Sequence, residues 1–266
     1  MNHNSRPAPI GALDATKIPR FADLGTFARI PDIGAVGDYD IAVLGVPFDG
    51  GTSYRPGARF GPMGIRQASR HLRPRFHVEL GTAPLEAVQV VDAGDVPYFN
   101  APITHGTVFR RAFEEGLLAE DKSIHLGIRG PIYDQKDLVN DKAFGFRAIR
   151  AADLDVIGIE GAVDAIRRRV GDAPVYISID IDVLDPAFAP GTGTPEMGGF
   201  NSRELLRLLR SLDGLDIVGG DVVEVAPAYD HAEITCLAAA TVVFDLVTLM
   251  AKNHVACPVP ASADHA

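Results

Sequence analysis

Tryptophan is absent from these 266 residues, and cysteine nearly so, with Cys236 and Cys257 the only two. Two cysteines cannot supply a disulfide framework, so a hydrophobic core must hold the fold, and a reducing cytoplasm is the expected setting. An excess of basic charge is also lacking. The 25 Lys and Arg stand against 35 Asp and Glu, a formal net charge of −10, which argues against a nucleic-acid or anionic-membrane partner. The first twenty residues lack the apolar core of a signal peptide. The greasiest run, 234–251, is broken by Thr235, Thr241, Asp245 and Thr248, and reads as a buried helix rather than a membrane span. The phosphate-loop and dinucleotide-binding glycine patterns do not occur, no histidine pair has zinc spacing, and there is no internal repeat.

What the sequence does contain is an alternation of short β-branched runs with longer helical patterns, the signature of parallel strands joined by helices. Strands are predicted at 41–46, 88–92, 124–128, 146–149, 175–180 and 217–225. Most are apolar on both faces, as expected of a parallel sheet covered on each side. Helices are predicted at 62–69, 107–115, 159–170, 202–211 and 234–251. Asp230 followed by Glu233 has the spacing of a capping box for the last of them. The division predicted is a flexible segment at 1–20, a single α/β domain over 21–252 and a flexible tail at 253–266.

Chemistry concentrates at the predicted strand ends. In Y-I-S-I-D-I-D-V-L-D-P (176–186), Asp180 and Asp182 alternate onto one side of a strand, at the carboxyl end where open α/β sheets place their ligands. Two carboxylates among Ile179, Ile181 and Val183 point to a hard divalent cation, or else to caps on backbone amides at the start of a loop. In G-G-D-V-V-E-V-A-P (219–227), Asp221 and Glu224 face opposite sides unless the glycines introduce a bulge. Glu224 is the better placed to hold a cationic group such as a guanidinium, the alternative being a rim acid paired with a surface base. His105 sits in a loop before a helix, where it could shuttle protons or simply be solvated. Arg55 and Arg59, in the glycine-rich loop 48–62, pack a turn or bind an anion. Cys236 reads as core.

Taken together, these stretches resemble the ureohydrolase family of arginases and agmatinases, in its agmatinase and guanidinobutyrase branch. The segments that carry the likeness are G-V-P-F-D-G-G-T-S-Y-R-P-G-A-R-F-G-P (45–62), V-V-D-A-G-D (90–95), H-G-T-V-F-R-R-A (105–112), I-S-I-D-I-D-V-L-D-P-A-F-A-P-G-T-G-T-P-E (177–196) and D-V-V-E-V-A-P-A-Y-D (221–230). The resemblance implies a three-layer α/β/α fold with a mainly parallel sheet and a binuclear manganese centre. A metal-bridging hydroxide there attacks the guanidinium carbon of agmatine or 4-guanidinobutanoate, releasing urea and an amine. It further implies that Asp180 and Asp182 are metal ligands, that His105 is the proton shuttle, and that Glu224 orients the guanidinium. Homo-oligomers are usual in the family.

The pattern departs from the family at one place. The other four metal ligands of the family come from G-G-D-H-S/T and D-A-H-x-D, each ending a central strand, and neither is found here. Asp95 and His105 are ten positions apart, where two further βα units of roughly 30 residues each belong. Two expectations follow. A sheet that has lost two central strands must close the gap or expose apolar edges. And two aspartates alone cannot hold a binuclear centre, so the chain is expected to be an agmatinase-type ureohydrolase by resemblance that does not hydrolyse guanidino compounds at a useful rate, the alternative being a non-catalytic family member or deletion product that acts at most as a binding or assembly subunit.

Overall fold

The structure is a computed structural model that describes residues 7–22, 25–50, 52, 54–96, 108–131 and 142–254. Six strands are present: β1 (Ile41–Gly45), β2 (Val90–Asp95), β3 (Ser123–Ile128), β4 (Phe146–Arg150), β5 (Val175–Asp180) and β6 (Ile217–Val223). The helices are α1 (Gly61–Ser69), α2 (Pro84–Ala87), α3 (Val108–Glu114), α4 (Ala151–Val170), α5 (Ser202–Arg210) and α6 (Ile234–His254). The α2 turn and the first turns of α4 have no counterpart among the predicted elements. The reason is visible at Gly158, whose φ of 65° and ψ of −179° break α4 where the sequence pattern begins it.

Every strand pairing is parallel, in keeping with the α/β class expected from the alternating pattern, but among the described residues the strands do not form one sheet. They make three two-stranded ladders, β1 with β2, β3 with β4 and β5 with β6. Parallel strands normally lie buried between helices, and a two-stranded ladder alone is marginal in water. Here Leu44, Tyr176 and Val218 are 51%, 58% and 61% exposed, which places apolar strand surface in solvent.

The ladders are held together by helices. α6 packs on α1, α2, α5, β6 and β1, so one buried helix spans the first and last ladders, and α4 packs on β3, β4 and α5. α6 is long and apolar enough to cross a membrane by length and composition, yet it is largely buried in the protein. Its one acid explains how. Asp245 is fully buried and accepts from His77 Nε2 at 2.7 Å and from Arg210 Nε at 2.8 Å, tying α6 to the 71–79 connector and to α5. Arg66 of α1 does similar work at β2, donating to both oxygens of Asp92 and to Asp95. The N-terminal segment also docks: Ile10 N–H donates to Gln89 Oε1, and Leu13 N–H to Arg29 O.

The start of α6 corrects one expectation. Asp230 caps the helix by accepting from Thr235 and Cys236 N–H. Glu233 does not complete a capping box, because its own φ of 60° carries its side chain away to accept from Gln67 Nε2.

Candidate active site

β5 delivers the aspartate pair and then stops. Asp180 is its last residue, and Ile181–Val183 form a single 3-10 turn, so Asp182 lies on the turn and not on the strand as the alternation predicted. The turn is built by Asp180 itself, whose carboxylate accepts from Asp182 N–H at 3.2 Å. The backbone-capping reading is therefore realised, and the two carboxylates remain neighbours. Thr194 Oγ1 donates to Asp182 at 3.2 Å from the loop that follows. Burial pushes the Asp180 carboxyl well above the ordinary aspartate range, and the nearby charges of Asp182 and Glu224 add to it. Asp182 is also raised by burial, against which the charge of Arg129 and the Thr194 bond work.

Glu224 joins this end of the molecule from β6. It follows the last strand residue with a φ of 65°, a sharp turn that brings it towards Asp180. A bulge is present, but at Val218 and not between Asp221 and Glu224: Val175 pairs with Ile217 and Tyr176 with Gly219, so it leaves the relation of those two acids unchanged. Asp221 turns to the opposite side, accepting from Tyr176 Oη at 2.8 Å and Ser178 Oγ at 2.6 Å. Gly193 lies close to Glu224: a Cβ there would stand 3.0 Å from Glu224 Oε2 and 3.2 Å from Arg55 O, a tight approach that a side chain at 193 would make the neighbours yield to. Arg59 is turned onto Asp49, with Nε at 2.7 Å, while Arg55 stacks over the rings of Tyr54 and Tyr229, so both pack the loop.

Three of the four residues singled out from sequence thus come together, Asp180, Asp182 and Glu224; His105 lies outside the described residues. The resident cation, Arg129, carries no motif signal beyond being a charged residue at the end of an apolar strand. Among the described residues, no three His, Cys, Asp or Glu side chains stand close enough to share a metal ion. Two acids, Asp180 engaged by the Asp182 backbone amide and Asp182 by a threonine hydroxyl, with a guanidinium alongside, do not fit a binuclear manganese centre.

Comparison with known proteins bears on this arrangement directly. The Arginase family matches the chain in two pieces, residues 39–103 and 97–248. The chain belongs to the arginase family. Among its relatives is guanidinopropionase of Pseudomonas aeruginosa, 37% identical over 314 residues, with 94% of this chain and 98% of the relative covered. Putative agmatinase 1 of Schizosaccharomyces pombe is 38% identical over 331 residues, covering 88% and 84%. The structure of proclavaminate amidinohydrolase from Streptomyces clavuligerus superposes with a TM-score of 0.81 at 34% identity, covering 89% of this chain and all of that one. The matched spans are longer than this arginase-family chain itself. Since 94% of 266 residues is about 250, roughly 64 of the 314 positions aligned with guanidinopropionase face no residue here. That is the size of two βα units, and the family match breaks at 97–103, between Asp95 and His105.

Proposed function

We propose that this chain is an arginase-family protein that keeps the carboxylates facing a guanidino substrate but lacks a working metal centre, and so does not release urea at a useful rate. The observation that carries the reading is the aspartate pair itself, Asp180 and Asp182, which among the described residues belongs to no group of three ligating side chains placed to share a metal ion. Guanidinium hydrolysis needs a hydroxide near neutral pH, which bound metal ions supply by lowering the pKa of water. Among the described residues, nothing near Asp180 and Asp182 takes over that task. Glu224 can still accept paired donors from a guanidinium, so a small guanidino compound such as agmatine or 4-guanidinobutanoate is the ligand class. His105 would be the proton shuttle. The test is urea release by the purified chain with manganese and either compound, beside guanidinopropionase of Pseudomonas aeruginosa acting on its own substrate. Background urea is expected; turnover comparable to that enzyme would overturn the reading.

A second reading, a non-catalytic subunit that assembles with further copies, is favoured by the exposed apolar residues Leu44, Tyr176 and Val218 on the open ladders.

A further inference from the structure

The β3–β4 and β5–β6 ladders share no backbone pairing among the described residues, yet a side chain crosses between them. Arg129 is the residue after β3. Its Nη2 donates to the carbonyl oxygen of Asp182, to Leu184 O at 3.3 Å and to Glu196 O at 2.8 Å, and Nε reaches Glu196 O at 3.2 Å. All these acceptors lie on the segment that leaves β5 and carries the second aspartate. The two elements are in close contact here, since a Cβ on Gly127 of β3 would stand 2.8 Å from Val183 Cγ2. A planar guanidinium can satisfy several carbonyls at once while keeping its charge, which an ammonium does less well. Among the described residues the bonds go to carbonyls and not to carboxylates, so the positive charge is fixed beside the acids without being neutralised there by a direct pair. Two partly buried carboxylates side by side need such a charge.

We propose that Arg129 is a positioning residue with two tasks: it clasps the 182–196 segment to the end of β3, and it is the resident counter-cation of Asp180 and Asp182, in the place where the family uses metal. The inference rests on the reading that the chain holds no binuclear centre. The experiment is thermal unfolding of the full chain as wild type, Arg129→Gln, Arg129→Lys, Asp180→Asn/Asp182→Asn and the triple variant, each with and without manganese. Asn keeps an oxygen to accept from Asp182 N–H at position 180 and from Thr194 Oγ1 at position 182, so the double variant removes charge with little change of shape. Arg129→Gln is expected to lower Tm by roughly 10 °C in the wild-type background and by less than half as much in the double variant. Arg129→Lys is expected to recover part of the loss.

A merely structural clasp would cost the same in both backgrounds, and equal losses overturn the counter-cation. If Arg129→Gln does not accumulate as folded protein, recovery of folded protein in the triple variant supports the proposal, and its failure there counts against it. Manganese is expected to leave the wild-type Tm unmoved. A manganese-dependent rise would overturn the reading that no metal is held, whereas the mutant cycle judges Arg129 independently.

Discussion

Asp245 is where the long apolar helix α6 carries a charge into the interior, and removing that charge tests whether the helix is a designed core element. Its side chain is 1% exposed and accepts from His77 Nε2 at 2.7 Å and Arg210 Nε at 2.8 Å. Leu80 N–H donates to His77 Nδ1, so Nε2 is the nitrogen left to donate to Asp245. The ring of His77 also stacks on Phe244, with centroids 5.7 Å apart. Asp245→Ala therefore strands a buried imidazole N–H and half of a guanidinium. Breaking a buried ion pair by removing one partner costs about 3–5 kcal/mol. Arg210 is 22% exposed and also lies 3.3 Å from Glu79, so part of that cost is recovered from water and from the second acid. A loss of about 3 kcal/mol is the result, which for a chain of this size lowers Tm by roughly 6–12 °C. Circular dichroism melting and a urea midpoint both read it. A Tm unchanged within about 2 °C would refute the reasoning, because it would mean that the His77–Asp245–Arg210 contacts carry no net stabilisation.

Other expectations follow from single groups. Asp180 is raised in the folded protein by burial first, so the folded state holds its proton above the ordinary value of 3.8 and stability is lost as pH rises past it. Asp180→Asn should therefore melt higher than wild type at pH 8, with the difference vanishing as the pH falls towards that value; an advantage greatest in acid would contradict this. Asp49 has the opposite sign. The Arg59 side chain, and then the Gly57 amide, hold its carboxyl below the ordinary range, so its stabilisation is present above 3.8 and lost as pH falls through the lowered value. Asp49→Asn should cost about 1 kcal/mol at pH 7, narrowing in acid, and a pH-independent cost would show that the charge is irrelevant. Cys236 is buried, and burial followed by the Asp230 carboxylate pushes its thiol up to about 12. In a Cys257→Ser chain, a thiol reagent at pH 8 should therefore label the protein only after denaturant is added; prompt labelling of the native state would contradict the burial.

Much of the fold was legible because it follows from local pattern. The six β-branched runs are the six strands, within two or three residues at each end, and the apolar stretch after Asp230 is the core helix. Pairing was not legible, since which strands lie side by side depends on surfaces far apart in sequence. The turn after Asp180 defeated the alternation rule because the carboxylate itself ends the strand by accepting from Asp182 N–H. At the site, Asp180, Asp182 and Glu224 could be named because strand-end acids in an apolar setting demand a reason. Arg129, His77 and Arg210 could not. Each works through partners more than 30 positions away, and no spacing in the sequence records those contacts.

The central claim is that the missing βα units took the metal centre with them while leaving a folded, carboxylate-bearing remnant. Its most direct test is the manganese content of the purified chain, measured by elemental analysis after equilibration with the metal and removal of excess. Substoichiometric manganese is predicted. Retention of about two manganese ions per chain, the complement of a two-metal site, would contradict the account.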